Sequence, residues 1–517
     1  MSLPFLKKGR VVISLVFFSG MAVLFLDLSF SIPARYSGSL TSLQLVPSLL
    51  KFISGAGFAA AGFIFILCLT LIFGRVYCSS ICPLGTLQDI FAYVRKKGKK
   101  RNYAYQKAFS KTRYGILSLV ILFFLGGQTL GIILLDPYSS FGRIMTQLVR
   151  PLAIAIKNTL SFSLARVGEY SVFPVEYTGL HIFSFFFTLG VLFLILWLSL
   201  NSGRLYCNTL CPVGALLGIL SRYSLFKIGI NNQECVDCKR CEKVCKSSCI
   251  HLESNRIDSS RCVSCFNCFE VCPTSAMEFQ WGFGSNKFNP DAGKRDFIKQ
   301  FAICLMTGSS ALAARPPIEI YKDSTLPVPT AGPVSPPGSL SREHFMARCT
   351  ACHLCVSACP TRVLQPAFLE YGWLGVMQPR MDYQKSFCNY DCVICTRVCP
   401  SGALVPKRIE EKKSIQLGKA KFIQGNCVVY THKTDCGACA EHCPTKAVDM
   451  VLDPEVKLRA PKIDETICVG CGACEFACPT KPHKSIYVES NPVHLAAKKP
   501  KEEKLSEKVN YKSDFPF

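Results

Sequence analysis

Cys235, Cys238, Cys241 and Cys245 stand at C-x2-C-x2-C-x3-C, and Cys262, Cys265, Cys268 and Cys272 repeat the pattern with Pro273 following. This spacing constrains the chain more than any other feature. Three closely spaced thiols wrap one iron–sulfur cubane while the fourth reaches its neighbour, so the two runs are expected to exchange ligands. One cluster then takes Cys235, Cys238, Cys241 and Cys272, and the other takes Cys262, Cys265, Cys268 and Cys245. A tetrahedral zinc site would instead use two CxxC pairs with a longer gap between them. Lys246 replaces the usual proline after Cys245, and Cys249 aligns with Ala276 of the second run as a spare buried thiol.

Four more groups lie near the C-terminal end. Cys349, Cys352, Cys355 and Cys359-Pro360 keep the standard spacing, as do Cys468, Cys471, Cys474 and Cys478-Pro479. Cys388, Cys392, Cys395 and Cys399-Pro400 carry one extra residue in the first gap. Cys427, Cys436, Cys439 and Cys443-Pro444 have a long first gap, which leaves Cys427 the least constrained ligand. These thiols suffice for four further [4Fe–4S] clusters, six in all. The chain has 31 cysteines in 517 residues, but their tight grouping excludes a disulfide scaffold. Its net charge of +24 sits in loops beside apolar runs and in the tail, with no aromatic-interleaved basic stripe, so nucleic acid is not an expected partner.

Apolar runs at Val11–Phe30, Phe52–Phe73, Tyr114–Leu135 and Ile182–Leu200 are each long enough to cross a bilayer. Nine basic residues between Arg95 and Arg113, with Lys7, Lys8 and Arg10, place the N-terminus and that loop in the cytoplasm. The Asp136–His181 loop then faces outward, and the chain after Leu200 returns inside. No small-residue cleavage site follows the first run, so a cleaved N-terminal signal peptide is not expected.

The sequence repeats itself at the ends of two of these runs. GRVYCSSICPLGTL (Gly74–Leu87) matches GRLYCNTLCPVGAL (Gly203–Leu216), which puts Cys78/Cys82 and Cys207/Cys211 in equivalent places. Small residues that let helix ends pack would be the ordinary explanation. The recurrence of cysteine in the same frame favours a redox or metal-binding pair, without saying which.

Four spans with two C-x-x-x-C-P motifs, followed by a two-cluster ferredoxin segment, resemble the NapH-type membrane ferredoxin proteins over about residues 1–280. The second half resembles the NapG/MauM-type periplasmic ferredoxin proteins, through its cysteine groups, Pro336–Gly338 before the first of them, and CPSGAL at Cys399–Leu404. The whole chain is similar to a fusion of the two. In similar four-cluster subunits the motifs pair first with fourth and second with third. That resemblance implies Cys349, Cys352, Cys355 with Cys478; Cys468, Cys471, Cys474 with Cys359; Cys388, Cys392, Cys395 with Cys443; and Cys427, Cys436, Cys439 with Cys399.

Between the halves, Lys294-Arg295-Asp296-Phe297-Ile298-Lys299 opens a weakly apolar run and is similar to a twin-arginine export signal, with Lys in place of the first Arg. Iron–sulfur clusters are inserted in the cytoplasm, so a domain holding them would cross the membrane folded. The alternative is an amphipathic or buried helix linking two cytoplasmic ferredoxin domains, and whether a signal anchor would be cleaved stays open. The expected architecture is an α-helical membrane domain, four spans plus a fifth signal-anchor-like helix, with α+β bacterial ferredoxin-like domains. Its parts are a membrane domain at 1–230, a two-cluster ferredoxin at 231–280, the anchor at 294–314, a proline-rich linker at 315–340, a four-cluster domain at 341–490 and a charged disordered tail at 491–517.

Cys68 and Cys304 lie in apolar runs and are read as packing residues. There is no P-loop, dinucleotide fingerprint or nucleophile triad. His181 is the only histidine in or near a span, so the chain alone does not supply a bis-histidine haem. Asp27, near the outer end of the first span, is a candidate contact for a quinol head group, though an interfacial acid is the ordinary reading. The resemblance implies an inner-membrane electron carrier that takes electrons from the quinol pool and passes them through two cytoplasmic and four periplasmic clusters to a periplasmic reductase or carrier. The alternative is an accessory factor that supplies electrons for maturation or reactivation of a periplasmic metalloenzyme.

Overall fold

In the computed structural model, residues 4–28, 32–54, 61–96, 103–176, 181–282 and 332–499 are described. The export-like stretch at 294–314, Cys304, most of the proline-rich linker and the last part of the tail lie outside them.

The N-terminal half is helical. Helix α1 (Pro4–Leu26) is followed by a hairpin of α2 (Ala34–Ser42) and α3 (Leu45–Ile53), then by α4 (Ala61–Phe73). The first cysteine pair sits on α5 (Tyr77–Ser80) and the turn into α6 (Pro83–Lys96). Next come α7 (Ser110–Leu125), α8 (Leu130–Leu135), α9 (Pro137–Ile144), a π-turn at Met145–Val149 and α10 (Arg150–Ala165). Helix α11 (Ile182–Ser202) leads to α12 (Leu205–Thr209), which carries Cys207, and to α13 (Pro212–Ser221).

Two helices among the described residues are long and apolar enough to cross a membrane, Phe5–Leu26 within α1 and Ile182–Ser202. The expected second and third spans do not emerge as single long helices. Phe52 belongs to α3, which ends at Ile53, and the helix before the first cysteine pair is described over Ala61–Phe73. The Tyr114–Leu135 run breaks at Gly126-Gly127, with Gly127 at φ 72°. The chain then turns back, and a Cβ on Gly131 would lie 2.9 Å from Val120. An apolar average conceals such a break because glycine is apolar yet adopts the left-handed conformation freely. The segment after Asp136 is helical rather than an open loop. It forms α9 and α10, with α9 wholly buried. Asp136 caps α9 by accepting from Ser139 N at 2.8 Å, and Pro137 occupies the first turn.

A ferredoxin module follows α13. Strand β1 (Phe226–Ile230) pairs antiparallel with β4 (Met277–Trp281), and the short pair β2 (Ile250–His251) and β3 (Arg256–Ile257) lies between them in sequence. Helices α14 (Arg240–Val244) and α15 (Asn267–Val271) each end at the fourth cysteine of a run. The C-terminal half repeats this plan twice. One unit contains β5 (Leu364–Pro366) paired with β6 (Pro379–Met381). The other contains β7 (Ile415–Phe422), β8 (Val448–Leu452), β9 (Arg459–Ile463) and β10 (Ile486–Ala496), with β7 on β10 and β8 on β9. Strand β10 reaches Ala496, so ordered structure continues into the stretch expected as tail.

The two ferredoxin regions dock at opposite ends of α1. Lys7, near its start, ion-pairs with Glu270 on α15. Near its end, Met21 and Phe25 share one core with Cys352 and Leu354. A helix of this length spans roughly 33 Å at 1.5 Å per residue. Thr129, in the turn before α8, donates to the carbonyl of Met346 at 2.9 Å, and Gln378 Nε2 donates to Thr129 Oγ1 at 3.3 Å. Both polar latches join the C-terminal half to the α8–α9 end.

Candidate metal centres

Each cysteine run is a loop that ends on a short helix. In four such loops the residue just before the helix adopts positive φ: Lys239, Phe266, His353 and Gly472. Such conformations turn successive backbone N–H groups inward, a concave nest suited to an anionic cofactor.

In the first module, Cys235, Cys238, Cys241 and Cys272 line one cavity of about 340 Å³ with Ile230, Leu252 and Met277. Cys262, Cys265, Cys268 and Cys245 form the second nest, each within electrostatic range of others in the set. Ligand exchange between the two runs is therefore the arrangement the structure brings together. Cys249 is buried against the second nest, with its sulfur 3.5 Å from Cys245 Sγ.

The C-terminal groups pair differently from the expectation. Cys468, Cys471 and Cys474 line a cavity of about 300 Å³ with Cys443, not with Cys359. Cys427, Cys436 and Cys439 line another, of about 340 Å³, with Cys478, not with Cys399. Cys349, Cys352 and Cys355 face Cys399, and Cys388, Cys392 and Cys395 face Cys359. First thus pairs with second and third with fourth. The reason is local. Each half pairs its own short strands, β5 with β6 and β8 with β9, so each exchanges its fourth cysteine within itself. Cys427 reaches its set because the long gap folds into a compact turn and the helix Val428–Thr431.

The nests form a line. Cys355 faces both Cys399 of its own set and Cys395 of the next. The N–H of Cys388 donates to the carbonyl of Cys471 at 2.9 Å. Cys474 is within electrostatic range of Cys439.

These thiols fit an iron–sulfur cofactor by their chemistry. Burial pushes Cys241 and Cys439 up to about 11, and Cys352 and Cys471 up to about 12. Thiolates so placed need a cationic core to offset their desolvation. Among the described residues, no three His, Cys, Asp or Glu side chains close on a point tightly enough for a single ion. A cubane, whose four irons each meet one thiolate, needs the wider opening.

The two C-x-x-x-C-P pairs also come together. Cys78, Cys82, Cys207 and Cys211 are all buried in one core. The two repeats contribute matching parts, related by an approximate two-fold exchange. Arg75 Nη2 donates to the Cys207 carbonyl at 3.0 Å, and Arg204 Nη1 donates to the Cys78 carbonyl at 2.9 Å. A Cβ on Gly85 would lie 2.2 Å from the Cys78 carbonyl, and one on Gly214 would lie 2.1 Å from the Cys207 carbonyl. The prolines end the first turn, and Cys211 becomes the cap of α13, its sulfur accepting from Gly214 N at 3.3 Å. Asp89 holds Arg204 at 2.8 Å, Lys246 at 3.0 Å and Arg10 at 3.2 Å. The residue in place of the usual proline thus anchors the first ferredoxin module to the helical domain.

Sequence reasoning missed Arg75, Arg204, Gly85, Gly214 and Asp89. All but Asp89 are invariant between the two repeats, a signal that was present in the quoted match. Of the other candidates, Cys68 is exposed on α4 rather than packed. Asp27 accepts from Ile32 N at 3.0 Å, and His181 caps α11 through Ser184 N at 3.4 Å.

The chain matches a 4Fe-4S binding domain family at residues 56–102 and 183–231, and 4Fe-4S dicluster domain families at 348–404 and 434–481. Each dicluster match falls within one of the two cysteine units seen in the structure, with Cys427 lying just before the second match. The methylamine utilization ferredoxin-type protein MauM of Paracoccus denitrificans is 32% identical over 155 residues, 28% of this chain and 67% of that protein. MauM of Methylobacillus flagellatus is 30% identical over 150 residues, 28% of this chain and 63% of that protein. The ferredoxin-type protein NapH of Haemophilus influenzae is 28% identical over 222 residues, 41% of this chain and 64% of that protein. The chain therefore spans somewhat less than two thirds of the length of the last two.

Proposed function

Because the chain belongs to the 4Fe-4S ferredoxin-type NapH/MauM proteins, we propose that it is a membrane-bound electron conduit. It takes electrons from the quinol pool and delivers them to a periplasmic reductase or carrier. Six [4Fe–4S] clusters are held by the 24 thiols grouped above, two on the cytoplasmic side and four outside. Bound there, they supply one-electron redox chemistry.

The observation that carries this reading is the docking of the two ferredoxin regions at opposite ends of α1, Glu270 against Lys7 and Cys352 beside Phe25. With α1 and α11 crossing the bilayer, one region faces each compartment. The Lys294–Ala314 stretch would then serve to export the C-terminal half as a folded domain. The thiol nests order the path from Cys349, Cys352, Cys355 and Cys399 outward to Cys427, Cys436, Cys439 and Cys478. The last set stands at the end of that order and is the place where an external acceptor would be met.

The test is anaerobic addition of a reduced short-chain quinol to the full chain in lipid nanodiscs, followed by visible absorbance and electron paramagnetic resonance. Reduction of clusters on the timescale of mixing supports the conduit. Clusters that stay oxidised with quinol but reduce with dithionite contradict a quinol donor.

A further inference from the structure

The six clusters leave a break in the path, because no nest so far described lies within the helical domain that separates the two regions. The four thiols of the repeats lie there. We infer that Cys78, Cys82, Cys207 and Cys211 together hold one polynuclear iron–sulfur centre, a seventh, which joins the inner and outer clusters. The inference rests on the electron-conduit reading and extends it.

The thiols form a single group rather than two separate pairs. Cys207 is within electrostatic range of both Cys78 and Cys82, and Cys211 is within range of the other three. Each repeat supplies two, so neither half makes the site alone. Donors already point at the sulfurs. Arg75 Nη2 reaches Cys78 Sγ at 3.8 Å, Gln88 Nε2 reaches Cys207 Sγ at 3.4 Å, and Gly214 N reaches Cys211 Sγ at 3.3 Å.

Charge argues the same way. Arg75 and Arg204 are fully buried. Asp89 pairs with Arg204 and is shared with two more cations. The acceptors of Arg75 are Asn208, the carbonyls of Ser260, Arg261 and Cys207, and Cys78 Sγ, none of them a carboxylate. Its Nε has no hydrogen-bond partner although it is buried. A buried guanidinium without a counter-anion is costly. Four cysteinates on an oxidised [4Fe–4S] core carry a net charge of 2−, which supplies that anion. Four neutral thiols supply none. As with the other nests, no single-ion geometry is present among the described residues.

The position suits a relay. On the inner side, Arg75 donates to the Ser260 carbonyl at 3.0 Å, two residues before Cys262, and lies within electrostatic range of Cys262 itself. On the outer side, Tyr206, next to Cys207, donates to the Leu135 carbonyl at 3.0 Å. The chain continues from there into α9, where a Cβ on Gly142 would lie 2.3 Å from the Cys352 carbonyl. The four thiols are thus linked through Arg75 toward Cys262 and through Tyr206 and α9 toward Cys352. A single electron passes from a reduced cluster on one side to an oxidised cluster on the other through this centre. No bond forms or breaks and no proton is required, so the step balances without a further reactant.

The test is iron and acid-labile sulfide per chain in the purified, anaerobic full-length protein, compared with Cys78→Ser/Cys207→Ser. The parent is expected to hold about 28 of each and the double variant about four fewer, with the resonance signals of the other six clusters retained. If the variant does not accumulate, native mass spectrometry of the parent decides: seven cluster increments support the centre, whereas six overturn it. A disulfide among the four cysteines of the anaerobic parent also overturns it. A parent holding six clusters, unchanged by the double substitution, overturns this inference alone. A parent holding fewer than six overturns the six-cluster reading as well.

Discussion

Arg75 donates to the backbone carbonyl of Cys207, 3.0 Å away and 132 positions along the chain. Its counterpart Arg204 returns the contact to Cys78. The two repeats are thereby locked face to face, and the exchanged arginines put four thiols in the space between the inner and outer ferredoxin regions.

The arginine exchange predicts a large stability loss on truncation. Arg204→Met leaves Asp89 with two of its three cations and removes a donor to the Cys78 carbonyl. Breaking a buried pair in this way costs roughly 3–5 kcal/mol. Thermal unfolding of the full chain in detergent checks it, and an unchanged midpoint would contradict the buried network.

The pairing within the C-terminal half predicts which cysteines belong to one cluster. Cys443→Ser and Cys471→Ser should perturb the same resonance signal. Cys359→Ser and Cys392→Ser should perturb a different one. If Cys359→Ser and Cys471→Ser instead share a signal, the first-with-fourth pairing is restored.

The docking of the outer region on α9 predicts that Gly142 tolerates no side chain. A Cβ there meets the Cys352 carbonyl at 2.3 Å and Phe25 at 2.7 Å. Gly142→Ala should cost about 1–3 kcal/mol, as overpacking does. It should also expose the Cys349–Cys359 loop to protease. Equal protease resistance in variant and parent would mean that the contact is not made.

His494 supplies a pH dependence. It sits on β10, receives or donates a hydrogen bond with Ser335 Oγ at 3.0 Å, and burial lowers its pKa to about 4. A histidine lowered in the folded state is kept neutral there, while the unfolded chain gains a proton near its ordinary value of about 6.5. Stability from this group is therefore fully present above about pH 6.5 and is lost as pH falls toward 4, by up to about 3 kcal/mol. The stability difference between parent and His494→Gln should narrow over that window. A constant difference would contradict the assignment.

Much of the site was legible because cysteine spacing is local. The inner ligand exchange followed from Cys235–Cys272 spacing alone, and all four C-terminal groups were found, Cys427 included. The pairing of those groups was not legible. It depends on which strands pair, and β5–β6 and β8–β9 are too short to announce themselves in sequence. The broken third run was hidden by Gly126 and Gly127, which count as apolar and act as a turn. The convergence of Cys78, Cys82, Cys207 and Cys211 is a tertiary fact, although the recurrence of Arg75 at Arg204 and of Gly85 at Gly214 pointed to it.

Two clients of the conduit reading are separable by time. Depleting the protein after its dependent periplasmic enzyme has matured should abolish that enzyme's electron supply at once. Decay only as the enzyme turns over would favour the maturation role instead.

The central claim is that one chain carries clusters on both sides of a membrane. The direct measurement is protease treatment of intact spheroplasts, read with an antibody against Lys498–Phe517 and a second against the Cys235–Cys272 module. The account predicts that the C-terminal epitope is digested and the inner one protected, and that changing Lys294 and Arg295 together to Gln protects both. Protection of both epitopes in the unaltered protein would place every cluster in the cytoplasm and contradict the account.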